Sequence, residues 1–113
     1  LFQGSREVAE RNRAPWPFDP ASIDFVVLTH AHIDHGGLLP RLARDGFRGP
    51  VHATPATCEL LAVMLRDSAH LQAQDAERAA RRRRPGRPVL PPLYSTADVE
   101  TLLGRLAPLP YDV

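Results

Sequence analysis

Apolar and polar residues fall into blocks along this chain, and the period of each block predicts an element. The first 22 residues are polar and proline-rich. Residues 5–14 suit a short helix. Ala14-Pro15-Trp16-Pro17-Phe18-Asp19-Pro20 cannot be regular, because proline breaks both helical and sheet ladders. Asp19 to Asp24 predicts one helical turn leading into a strand. Phe25 to Thr29 is a continuous apolar run rich in β-branched residues, the mark of a strand buried on both faces. Residues 35–45 read as a helix with Leu38, Leu39 and Leu42 on one side, stopped by Asp45-Gly46. After the turn Gly49-Pro50, Val51-His52-Ala53 is a second short strand. Strand, helix and strand within ~30 residues predict a βαβ unit, a parallel pair with a right-handed crossover.

Thr54-Pro55 opens the next helix, with threonine as N-cap and proline in the first turn. Leu60, Leu61, Val63, Met64, Leu65, Ala69 and Leu71 keep a helical period, and the helix is expected to run to about Ala80. Arg81-Arg82-Arg83-Arg84-Pro85-Gly86-Arg87-Pro88 reads as a basic, breaker-rich loop. Ser95-Thr96 caps a last helix expected to reach about Leu106, with Val99, Leu102, Leu103 and Leu106 as its apolar face. Pro108 and Pro110 end it. There are no internal repeats.

At 113 residues the chain has the size of one small domain or of part of a larger one. A hydrophobic fraction of 43% and a charged fraction of 24% fit a globular chain rather than a disordered one. No apolar run approaches the ~20 residues of a membrane span. The single cysteine, Cys58, excludes an internal disulfide and hence a disulfide-stapled scaffold. A net charge of +1 gives the chain as a whole no nucleic-acid signature. The basic residues are all arginine, which reads as coding bias. The chain begins with Leu1 and carries no targeting pattern, so it is expected to be a piece of a longer protein.

The informative segment is Thr29-His30-Ala31-His32-Ile33-Asp34-His35-Gly36-Gly37. Three imidazoles and a carboxylate follow directly on a buried strand. His30 and His32 are two apart, so in extended chain both side chains leave on the same side. Asp34 and His35 follow where the chain turns into a helix, which folds them back toward the same space. Imidazole nitrogen and carboxylate oxygen suit zinc. Four ligands in six residues exceed what one tetrahedral ion can take from so short an arc. The spacing suits two ions, His30 and His32 on one, Asp34 and His35 on the other. Two metals a few Å apart can clamp a phosphate and activate a shared water.

His30-x-His32-x-Asp34-His35 after an apolar strand resembles the metal motif of the metallo-β-lactamase fold. The wider stretch Phe25 to Leu42, the segment Gly46 to Thr57, Asp67 to Gln72 and the opening Leu1-Phe2-Gln3-Gly4 are similar to the β-CASP RNA-processing nucleases. The resemblance implies an α/β fold, part of a four-layer αβ/βα sandwich. It implies residues 1–113 as the N-terminal half of the catalytic domain, without the second half and the β-CASP insert. The further histidine, bridging aspartate and last histidine of a complete site are expected downstream. It further implies two zinc ions, an RNA substrate, no membrane and a cytoplasmic setting. In that family a metal-bridging hydroxide attacks phosphorus, and Asp34 would both ligate and orient it. Another hydrolase of the superfamily, acting on a thioester, lactam or lactone, is the runner-up. A non-catalytic relative within a nuclease complex is the reading from a different class.

Other residues carry less. His52 and His70 read as structural, with an approach of His70 to a substrate cleft as the alternative. Cys58 reads as a small buried hydrophobe rather than a thiol activated at a helix N-terminus. Arg81–Arg84 read as a solvated loop, with RNA phosphate contact as the alternative. Trp16 and Phe18 read as an anchor for the lead-in rather than a stacking platform for bases. The strand Phe25–Leu28 is apolar on both faces, so this chain standing alone is expected to leave one of them exposed.

Overall fold

In a computed structural model, residues 12–29, 37–82 and 91–109 are described. Asp19 caps a 3-10 turn, Pro20–Ser22, by accepting the Ala21 N–H at 3.0 Å, and the chain then extends into the first strand. Among the described residues three strands follow in sequence: β1 (Val26–Val27), β2 (Val51–Ala53) and β3 (Leu106–Pro108). They form one parallel sheet in the order β1-β2-β3. Val26 stands opposite Val51, and Val51 opposite Leu106. The βαβ pair expected from the sequence is therefore present, with β2 in the middle.

That register sorts side chains by parity. Val26, Leu28, Val51, Ala53 and Leu106 share the face that packs into the core. Phe25, Val27, His52 and Ala107 share the other. Phe25 is 57% exposed and Val27 58% exposed. The expectation of burial on both faces is thus corrected, because the described helices cover one face alone. The open face is the one expected of this chain by itself.

The third strand corrects the sequence reading, which ran the last helix to Leu106. That helix stops at Leu103. The Gly104 N–H closes its last turn onto Glu100, and Leu106-Ala107-Pro108 then extends beside β2. Proline is compatible with this strand because of parity. The Val51 N–H donates to the Arg105 carbonyl and the Leu109 N–H to the Ala53 carbonyl. Pro108, between them in phase, has its nitrogen turned away from β2, as proline on a sheet edge must.

Among the described residues, three α-helices accompany the strands. α1 (Leu39–Arg44) ends where the sequence places its stop; Gly46 has φ +126°, a conformation that favours glycine, and the Phe47 N–H reaches back to the Leu42 carbonyl. α2 (Pro55–Arg81) begins under the predicted Thr54 cap, whose side chain accepts the Thr57 N–H. α3 (Thr96–Leu103) starts at a capping box formed by Ser95 and Asp98. Cys58, Leu61, Leu65 and Ala69 form the buried stripe of α2, and Val99 and Leu102 that of α3. They close over Phe47, Val51 and Tyr94, all essentially without solvent contact. Arg66 and Glu100 join α2 to α3 by a bidentate pair at 2.8 and 3.1 Å on the surface. Gly49 lies against the Asp24 backbone, where an added Cβ would stand 2.1 Å from the carbonyl oxygen.

Candidate metal centre

β1 ends at Val27, and the Leu28 N–H continues the ladder by donating to the His52 carbonyl at 2.8 Å. The chain re-enters description at Gly37, which is buried, and Leu38, whose carbonyl accepts the Leu42 N–H in the first turn of α1. His30, His32, Asp34 and His35 fall between these points and lie outside the described residues. What is described is the frame. β1, β2 and β3 are parallel, so Thr29, Thr54 and Leu109 all leave the sheet at its C-terminal edge. Open parallel sheets bind their ligands at that edge. The motif departs from β1 there, and α2 departs from β2 at the same edge.

The exit of the motif is held by an arrangement the sequence reading missed. Arg41 of α1 is 6% exposed. Its guanidinium donates to the carbonyls of Asn12 at 2.6 Å and Ala14 at 2.5 Å, and more weakly to that of Arg13. Its Nε lies 3.4 Å from an Asp45 oxygen, and its Cζ sits 4.6 Å from the centroid of the Trp16 ring. The indole N–H of Trp16 donates to the same carboxylate. The lead-in is thereby tied to the helix that follows the motif. Burial and the neighbouring Arg41 charge push the Arg13 guanidinium below its ordinary pKa. Trp16 is the anchor that was expected, and Phe18 stacks beside it at 5.5 Å while remaining 44% exposed. An arginine four residues past Gly37 was the sole sequence signal for Arg41.

A second missed cluster ties the segment before α3 to α2. Ser68 Oγ and Tyr94 Oη share a hydrogen bond of 2.9 Å, Gln72 donates to Ser68, and Gln72 accepts the Leu93 N–H at 2.9 Å. Burial pushes the Tyr94 phenol above its usual pKa, partly offset by these hydrogen bonds.

The remaining candidates are placed as follows. His52 is half-buried on the open sheet face, edge-on to the Phe25 ring at 5.9 Å. Its Nδ1 has no hydrogen-bond partner among the described residues. His70 is exposed on α2 and meets Gln74 one turn on. Cys58 is buried, and burial pushes its thiol pKa up, opposite to activation at a helix N-terminus. Arg81 ends α2 and Arg82 caps it, both exposed, where the sequence suggested loop; Arg83 and Arg84 lie outside the described residues. Among the described residues no three His, Cys, Asp or Glu side chains gather as a metal site.

Residues 2–84 match the family described as the β-lactamase superfamily domain. The chain belongs to that superfamily. The resemblance drawn from the motif is borne out, and the small parallel sheet with helices on one face fits part of the metallo-β-lactamase fold. Among relatives in the superfamily, "Ribonuclease TTHA0252" of Thermus thermophilus is 44% identical over 111 residues, 98% of this chain and 21% of that protein. "Transcription termination factor FttA" of Cenarchaeum symbiosum is 36% identical over 89 residues, 79% of this chain and 12% of that protein. FttA of Methanosarcina mazei is 35% identical over 75 residues, 62% of this chain and 12% of that protein. The chain thus spans about a fifth or less of these relatives' lengths. The superfamily implies dependence on metal. No helix among the described residues is long and apolar enough to cross a membrane.

Proposed function

We propose that this chain is the N-terminal half of the catalytic domain of a zinc-dependent, RNA-cleaving phosphodiesterase of β-CASP type, working in the cytoplasm. The observation that carries the reading is His30-x-His32-x-Asp34-His35 directly after β1, in a chain alike over 98% of its length to a protein named ribonuclease. Three imidazole nitrogens and one carboxylate are a donor set that fits zinc. His30 and His32 would hold one ion, Asp34 and His35 a second, with the remaining ligands from downstream chain. Such a pair, when bound, polarises a phosphoryl group and lowers the pKa of water. Asp34 would have a second duty beyond ligation: its carboxylate would orient the attacking oxygen. The imidazoles must be neutral to ligate, so affinity for metal should weaken as pH is lowered. Gly36 and Gly37 leave the approach free of side chains.

The test uses the longer protein and a labelled single-stranded RNA. Asp34→Ala is expected to lower kcat by several powers of ten, at ~1.4 kcal/mol each. His30→Ala, which removes one nitrogen, should cost less. Wild-type kcat in Asp34→Ala would overturn the reading. Cleavage of a thioester or lactam with RNA left intact would transfer it to another hydrolase of the superfamily. The 113-residue chain supplies two ligands per ion, so after dialysis it should retain fewer than two zinc equivalents; tight retention of two would contradict the ligand assignment.

A further inference from the structure

α2 outruns the body it packs on. Its last buried residue is Ala69, and Gln72 is the last of its described side chains tied to another element. The helix nevertheless continues to Arg81, with side chains exposed from Ala73 onward except for the half-buried Ala76. Ala73, Gln74, Ala76, Glu77, Ala79 and Ala80 are strong helix formers, which accounts for its persistence without packing. The Arg82 N–H closes the last turn on the Arg78 carbonyl at 3.0 Å.

This arm carries Arg78, Arg81 and Arg82. Glu77 meets Arg81 at 3.4 Å, but both side chains are more than 70% exposed, so the pair is weak. Basic residues in a last turn also complement the helix dipole, an effect worth a few tenths of a kcal/mol to ~1. That does not explain the distribution of charge. Six of the chain's arginines lie between residues 78 and 87, and the stretch from 72 to 90 holds two acidic residues, Asp75 and Glu77, in a chain of net charge +1. Beyond Leu71 the arm has no apolar side chain larger than alanine, which removes the basis for a membrane-surface helix or an apolar protein interface. Exposed guanidinium groups without an apolar face match the chemistry of phosphate.

Position adds the decisive element. α2 starts at the sheet edge from which the motif departs, and its 27 residues at 1.5 Å each carry the arginines ~40 Å away. A fully stacked strand rising ~3.4 Å per nucleotide spans that with about a dozen nucleotides, and an extended single strand with fewer. We propose that Arg78, Arg81 and Arg82 form a distal phosphate contact for single-stranded RNA held at the metal centre, reached only by RNA long enough to span that distance. The proposal rests on the nuclease reading above.

The experiment compares the longer protein as wild type, as the triple variant Arg78→Gln, Arg81→Gln, Arg82→Gln, and as the corresponding Lys triple. Glutamine and lysine both keep helix propensity. Substrates are single-stranded RNAs of about 6 and about 30 nucleotides, assayed across a salt series that reads ~0.7 unit of log–log slope per phosphate contact. With the long RNA, the Gln triple should raise KM several-fold, lower the salt slope by up to ~2 and leave kcat unchanged. With the short RNA it should match wild type, and the Lys triple should recover most of the affinity for the long one. Unchanged KM on the long RNA overturns the proposal, as does an equal loss on both lengths or no recovery with lysine. Cleavage of the short RNA by wild type reports on the nuclease reading separately; if wild type cleaves neither RNA, that reading fails and the arm proposal with it.

Discussion

The indole N–H of Trp16 donates to Asp45 Oδ2 at 2.7 Å, joining residues 29 positions apart. Between them lies Arg41, stacked on the ring and bonded to the carbonyls of the lead-in. The segment before β1 and the helix Leu39–Arg44 are therefore tied together as one unit.

Arg41→Met keeps the stem of that side chain and removes its five donors. The carbonyls of Asn12 and Ala14 lose a charged partner in a buried setting. The expected loss is about 2–4 kcal/mol. Hydrogen exchange resolved by peptide should show residues 12–18 unprotected before the rest of the fold opens. Uniform loss across all peptides would mean that the lead-in does not separate from α1.

Gly49→Ala should be among the most damaging single-methyl changes in the chain. The new Cβ meets backbone, the Asp24 carbonyl, rather than a movable side chain. Either the turn into β2 shifts or the end of the lead-in does, at an expected cost above ~3 kcal/mol. A denaturation midpoint within ~1 kcal/mol of wild type would show that the turn yields freely.

Tyr94 makes stability sensitive to alkali. Its folded-state pKa lies above the ordinary value of ~10, because burial disfavours the phenolate. The unfolded chain therefore loses this proton first as pH rises. The stabilisation is complete below pH ~10 and is lost as pH climbs from there through the folded-state value. Tyr94→Phe should cost about 1 kcal/mol at neutral pH through the lost Ser68 hydrogen bond and should flatten the alkaline slope. Denaturant midpoints between pH 8 and 11 for both proteins decide it.

The open sheet face should govern how this chain behaves alone. Phe25 and Val27 are both more than half exposed on it. The 113-residue chain is expected to self-associate or to bind a hydrophobic dye at micromolar concentration. Phe25→Thr with Val27→Thr should reduce both while keeping β propensity. A sharp, monomeric melt of the unaltered chain would contradict the expectation.

Local signals in the sequence were strong wherever one residue type does one job. Thr54 and Ser95 accept N-terminal amides, Gly46 takes a positive φ, and Pro20 sits in a capped turn, so those boundaries were legible. β3 was not, because its three residues carry no period and end in proline, which is permitted there only by the direction its nitrogen faces. Arg41 and Tyr94 were missed for a different reason. The carbonyls that hold Arg41 lie 27–29 residues away and Ser68 lies 26 residues from Tyr94, and pairing across such spans leaves no mark on local pattern. The superfamily was legible from three imidazoles and a carboxylate close together after an apolar strand, and the family match over residues 2–84 bears that out. The βαβ unit on either side of the motif was legible as well, from one apolar run, one helical period and one short strand.

β2 occupies the middle of the sheet, yet one of its neighbours is made long after the other. β1 precedes it by a short crossover, whereas β3 follows only after α2 and α3. At ~5–20 residues per second, the roughly fifty intervening residues take on the order of 3–10 s to synthesise. Throughout that interval the Val51 amide, which ends on the Arg105 carbonyl, has no sheet partner on its outer side. The order of synthesis therefore leaves a nascent chain with a raw strand edge whose lifetime is set by the ribosome, and α2, built from local contacts, is the first element long enough to shelter it.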